Sequence, residues 1–176
     1  ICHELEKSNT VIIDTSNFSG ATELLIGSLI ANEIFNRYKF YSVKGCLKDK
    51  PVISIILEEA PRVLGKEILQ HGSNIFATIA REGRKWKYSL IIVSQRLARS
   101  VDPDIRANIN TVFFSKLNQT SDLREIQDFA DITGIELSNL AQLVPREFYV
   151  AGLMNPLRKP IVIKVREVEE PVLQHG

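Results

Sequence analysis

Two adjacent carboxylates are the residues in this sequence best placed to do chemistry. Glu58 and Glu59 close the run Val52-Ile53-Ser54-Ile55-Ile56-Leu57, which is almost wholly apolar and rich in isoleucine. Such a run reads as a central parallel strand covered on both faces. In open α/β sheets, ligands bind beyond the carboxyl ends of the strands, so a charged pair at that point faces a crevice. Neighbouring side chains leave the backbone in diverging directions. One glutamate can therefore approach a magnesium-bound water while the next reaches toward an attacking water, the two tasks of nucleoside triphosphate hydrolysis. Taken alone, an apolar run ending in two glutamates more often marks a strand leaving a sheet through solvated charge. The neighbouring segments must decide.

Those segments alternate between strand and helix patterns. Residues 9–15, with Val11-Ile12-Ile13 ending in Asp14, read as a buried strand. A helix follows over 21–38, where Leu24, Leu25, Leu29, Ile30, Ile34 and Phe35 give a broad apolar face. Beyond the acidic pair, 61–73 is less regular and carries Gly65 and Gly72. A second helix is expected over 74–87, with Ile75, Phe76, Ile79 and Trp86 on one side and Arg81, Arg84 and Lys85 on the other. Buried strands are expected over 89–94 and 111–117. Helices follow over 122–131, with Ser121 as N-cap, and over 136–143 after Gly134. Strands at 147–153 and 161–165, joined through Asn155-Pro156 and Pro160, form a hairpin or edge pair. The alternation predicts an α/β fold with a mainly parallel sheet flanked by helices.

Bulk composition bounds the function without choosing it. The 176 residues are 44% hydrophobic and contain no run that would span a bilayer, as expected of one soluble globular domain. Lys and Arg number 22 against 21 Asp and Glu, so any contact with a polyanion must be local. Cys2 and Cys46 are far apart, with no CxxC and no histidine at ligand spacing, which argues against zinc or a secreted disulfide framework. A reducing, cytoplasmic compartment is expected. Residues 1–10 lack the apolar core of a signal peptide, and Ile1 in place of Met suggests a processed or truncated start.

The strand and its acids match a Walker B motif, with glutamate where aspartate is usual. Downstream stand Ile79-Ala80-Arg81-Glu82-Gly83-Arg84-Lys85-Trp86, then Leu90-Ile91-Ile92-Val93-Ser94-Gln95-Arg96, then Arg106-Ala107-Asn108-Ile109-Asn110-Thr111. In that order and spacing these segments resemble the HerA family of DNA-translocating motor ATPases, relatives of the FtsK translocases and the conjugation coupling proteins. The resemblance runs from the Val11 strand to the terminal strands.

It implies the C-terminal part of a RecA-like P-loop ATPase core that works with ATP and Mg2+ in a homo-hexamer on double-stranded DNA, beside a NurA-type nuclease partner. Carried over by position, it makes Glu58 the acid near magnesium, Glu59 the residue that polarises the lytic water, and Gln95 a sensor touching both γ-phosphate and water. Either Arg81 or Arg84 becomes the arginine finger offered to a neighbouring subunit. Arg62 and Lys66 in 61–73, and Arg99 after the sensor, are candidates for backbone phosphate. Surface loops also carry such charges for solubility, and His71 and Lys66 fit that reading better. No GxxxxGK[ST] sequence occurs in the 176 residues, so the phosphate loop is expected before Ile1 and this stretch alone is expected to be inactive. The residue after Ser94-Gln95-Arg96 is Leu97, where relatives often have proline. Two other readings stand beside the motor: a catalytically incompetent assembly module, and a conjugation-type coupling ATPase.

Overall fold

The computed structural model describes residues 1–15, 17–18, 20–70, 72, 74–94, 101–117, 120–127, 131–155, 157 and 159–167, apart from the side chains of Asp122 and Glu125. They fall into two compact units, Ile1–Asn108 and Ile109–Gly176.

The first unit is built on a parallel pair, β1 (Ile53–Leu57) and β2 (Tyr88–Ile92), with Ile53 opposite Tyr88 and Leu57 opposite Ile92. Between them the chain forms α3 (Pro61–Leu64), α4 (Lys66–Gln70) and α5 (Ile75–Glu82). Before them lie α1 (Cys2–Glu6) and the long α2 (Ala21–Val43), and after them α6 (Pro103–Arg106). Alternation along the strands decides what is buried. Ile53, Ile55 and Leu57 of β1 and Tyr88, Leu90 and Ile92 of β2 point into one core with Ile34, Phe35 and Tyr38 of α2 and Ile75, Phe76 and Ile79 of α5. The opposite face carries a Ser54–Ser89 hydroxyl hydrogen bond of 2.7 Å, and Ile56 on it is 65% exposed. The expectation of a strand covered on both faces is corrected within this unit, where the described helices pack on one face.

Register is fixed at the start of the pair. Lys87 adopts a left-handed conformation, φ 52°, that turns the chain into β2, and its carbonyl accepts from the Ile53 amide at 2.9 Å. Its ammonium donates to the carbonyls of Lys48 and Lys50, anchoring the approach to β1. The α-helix expected over 74–87 ends at Glu82 and continues as a 3₁₀ turn, Gly83–Trp86. Its N-terminus is set by Asn74, whose carboxamide oxygen accepts from the Ala77 amide and whose nitrogen donates to the Val63 carbonyl.

Further expectations change. No strand forms over 9–15, and Ile12 is 90% exposed. Three apolar residues supply a strand pattern but not a pairing partner, and none of the described strands pairs there. The charged N-terminal segment instead contains α1. Glu6 at its end accepts from the Tyr41 hydroxyl and from Lys50, and lies 3.4 Å from Arg37. Burial opposes ionisation of Glu6, yet these hydrogen bonds and charges hold its carboxyl below the usual carboxylate range. The less regular segment 61–73 contains the two short helices α3 and α4.

In the second unit β3 (Thr111–Phe114), β4 (Glu147–Gly152) and β5 (Ile161–Lys164) form an antiparallel sheet in that order. The terminal hairpin is as expected. The strand at 111–114 pairs antiparallel with β4, so the described strands comprise one parallel pair and one antiparallel sheet instead of a mainly parallel whole. Strand patterning reports burial and is blind to direction, which explains the difference. Asn155 closes the β4–β5 connection by donating to the Val150 and Lys159 carbonyls while accepting from Leu157. Here α7 spans Thr120–Gln127, which puts Ser121 inside the helix instead of at its cap, and α8 spans Leu137–Ala141. Among the described residues no helix is long and apolar enough to cross a membrane.

Candidate active site

Glu58 and Glu59 stand at the carboxyl end of β1, and their setting departs from a regular strand end. The Val93 amide donates to the Leu57 carbonyl at 2.9 Å, and the Val93 carbonyl accepts from the Ala60 amide at 3.2 Å. In an undisturbed parallel ladder the second bond would come from the residue two beyond Leu57. Here it comes from the residue three beyond, so one extra residue is accommodated between the contacts. The acidic pair is a bulge in the last rung, the device that re-aims side chains at strand ends.

The bulge requires an unusual backbone. Glu59 has φ 48°, in the left-handed region, which costs a non-glycine residue about 1 kcal/mol or more. The surroundings hold it there: Ala60 is fully buried beside Leu64, and Pro61 opens α3 directly behind it. Both glutamate side chains remain exposed.

Of the other residues singled out by sequence, Arg62 comes closest to the pair. Its Nε lies 2.7 Å from Glu59 Oε2, with side chains 72% and 56% exposed. Arg81 occupies the last turn of α5, where a cation suits the helix dipole, and its guanidinium is 4.0 Å from Asp104 of α6. Arg84 is exposed on the 3₁₀ turn after α5. A 3₁₀ turn advances three residues per revolution, so the 100° projection that grouped Arg81 with Arg84 does not extend past Glu82. Lys66 begins α4. Gln95 and Arg99, like His71, lie outside the described residues; Ser94, the last described residue before Gln95, continues from the end of β2 beside the bulge.

Two features, one at this site and one at the opposite end of the strand pair, were not read from the sequence. One is the Glu59–Arg62 pair, whose i, i+3 spacing was visible but which depends on the left-handed turn. The other is Gly83, where a Cβ would lie 2.2 Å from the Tyr88 carbonyl oxygen. The spacing Glu82-Gly83-Arg84 marks the place, and the contact supplies the reason for glycine.

No family model matches the chain. Curated relatives do. The DNA double-strand break repair helicase HerA of Sulfurisphaera tokodaii is 26% identical over 161 residues, covering 89% of this chain and 32% of that protein. Its counterpart from Sulfolobus acidocaldarius is 29% identical over the same shares. A probable double-strand break repair helicase HerA of Methanocaldococcus jannaschii is 32% identical over 117 residues, covering 66% of this chain and 22% of that protein. The chain therefore spans a third or less of the length of these relatives. Among solved structures, the genome packaging NTPase B204 of Sulfolobus turreted icosahedral virus 2, in complex with ATP-gammaS, superposes with a TM-score of 0.62 at 13% identity, covering 93% of this chain and 71% of that one. Its AMPPCP complex gives 0.61 over 96% and 72%. At that identity the likeness speaks for the fold alone, which is similar to that of this packaging NTPase. By sequence, the chain is related to the HerA family of DNA double-strand break repair helicases.

Proposed function

We propose that this chain supplies the hydrolytic strand ends of a HerA-type motor that couples ATP turnover to movement along double-stranded DNA. The observation that carries the reading is the bulged acidic pair at the tips of parallel β1 and β2. Glu58 is assigned to the hydration shell of a nucleotide-bound Mg2+, where a carboxylate binds through water or directly. Glu59, re-aimed by its left-handed backbone, is assigned to the attacking water. Gln95 is assigned to the γ-phosphate as sensor, and Arg81 or Arg84 to the charge that develops on a neighbouring subunit's phosphate. Mg2+ and ATP would supply the electrophile and its charge neutralisation; the phosphates need a loop that these residues do not contain. Hexameric assembly, a NurA-type nuclease partner in end processing and a cytoplasmic setting complete the proposal. The likeness to HerA double-strand break repair helicases supports the DNA-helicase class.

The catalytically incompetent assembly module remains second because both acids and Gln95 are present in the sequence. The test uses the natural full-length protein with Mg2+-ATP and linear duplex DNA. Phosphate release is expected to rise several-fold with DNA, and the stimulation to weaken as salt displaces backbone contacts. A protein that binds ATP but releases no phosphate with or without DNA contradicts the motor and favours the module.

A further inference from the structure

The contact between Glu59 and Arg62 joins the residue assigned to the attacking water to a candidate for backbone phosphate. Resting on the proposed function, we infer that Arg62 is a positioning residue that detains the Glu59 carboxylate until a phosphodiester backbone claims the guanidinium, so that polyanion binding releases the base.

The geometry confines any change to these two side chains. The turn is pinned at Leu57 and at Ala60 by their bonds to Val93, and it closes on itself through the Arg62 amide, which donates to the Glu59 carbonyl at 2.9 Å. Helix α3 is suspended at its far end as well. The Leu64 carbonyl accepts from the Asp102 amide, and the Val63 carbonyl from Asn74, the N-cap of α5. The backbone carrying Glu59 and Arg62 thus stays put while the side chains, both more than half exposed, remain free to exchange partners.

The chemistry favours exchange. A carboxylate oxygen engaged at 2.7 Å by a guanidinium N–H is less available to accept the proton of an attacking water. An exposed ion pair is weak enough to be broken by competition. A phosphodiester offers the guanidinium fork a bidentate anionic partner, which a single Nε contact does not exhaust. Release therefore requires a competing anion at Arg62 and no rearrangement of the strand ends. Glu59 keeps its left-handed backbone in either arrangement, and only its carboxylate, 2.7 Å from Arg62 Nε at the start of α3, needs to move.

The test measures steady-state ATP turnover of the natural full-length protein, with and without linear duplex DNA, for the wild type, Arg62→Ala and Arg62→Lys. Arg62→Ala is expected to raise the DNA-free kcat roughly two- to fivefold, the factor an exposed pair is worth. The KM for ATP should stay unchanged and the ratio of DNA-stimulated to DNA-free rate should shrink. Arg62→Lys keeps a cation in reach of Glu59 and is expected to restore the low DNA-free rate. The inference is overturned if Arg62→Ala leaves the DNA-free kcat at or below the wild-type value, including the case where only the DNA concentration for half-stimulation moves. A wild type that turns over no ATP brings down the proposed function itself, and this inference with it.

Discussion

Glu59→Gln is expected to reduce ATP turnover of the natural full-length protein by a hundredfold or more, on the order of the contribution of a positioned general base, while nucleotide affinity changes by no more than a few-fold. Glutamine keeps the size of the side chain and its place in the bulge, so Ala60, Pro61 and the rungs to Val93 are left as they are. What it removes is the negative charge that polarises the water. Affinity for ATP depends on the phosphate cradle and the metal, to which Glu59 is not assigned. The measurement is a single-turnover assay beside a binding titration. Turnover retained within a few-fold of wild type would remove Glu59 from the chemistry, whatever role Glu58 has.

Gly83→Ala is expected to lower stability by about 3 kcal/mol, in the upper range for overpacking a close contact. Intrinsic helix propensity predicts the opposite sign, because alanine is favoured over glycine by about 1 kcal/mol in a helix interior. The contact decides. A Cβ at Gly83 would sit 2.2 Å from the Tyr88 carbonyl oxygen and 3.1 Å from Ile79 Cγ2, both parts of the packed interior. Relief requires moving the 3₁₀ turn away from β2. That would disturb Lys87, whose carbonyl holds Ile53 in register. For a chain of this length the loss corresponds to a drop in Tm of about 6–12 °C, readable by thermal denaturation followed by circular dichroism. A Tm equal to or above that of the wild type would show that the turn has room to relax.

The elements that hold the acidic pair were largely legible in the sequence, because their signals are local. An isoleucine-rich run bounded by a proline and two glutamates is β1 within one residue, and the apolar side of 74–82 is the buried side of α5. What failed depended on partners distant in sequence. Val11-Ile12-Ile13 has the residue types of a strand, but pairing is a tertiary fact and the segment lies exposed. The strand at 111–114 was found, yet its antiparallel direction is set by β4, nearly forty residues on. The end of α5 at Glu82 follows from the approach of Gly83 to Tyr88, which no periodicity encodes. Within the site, the positions of Glu58 and Glu59 were readable. The bulge was not, since glutamate is a poor residue for positive φ and nothing in Glu58-Glu59-Ala60-Pro61 announces an extra residue in the rung. Assigning Arg62 to phosphate alone missed its contact with Glu59 for the same reason.

The central claim, that the bulged strand end faces the triphosphate, is tested most directly by a structure of the natural full-length protein with Mg2+ and a non-hydrolysable ATP analogue. The account predicts the γ-phosphate beyond the tips of β1 and β2, with Glu58 reaching the metal directly at about 2.1 Å or through one of its waters, and Glu59 beside the in-line water position. A nucleotide bound with its phosphates remote from Leu57 and Val93, and with Glu58 and Glu59 left facing bulk solvent, would contradict it.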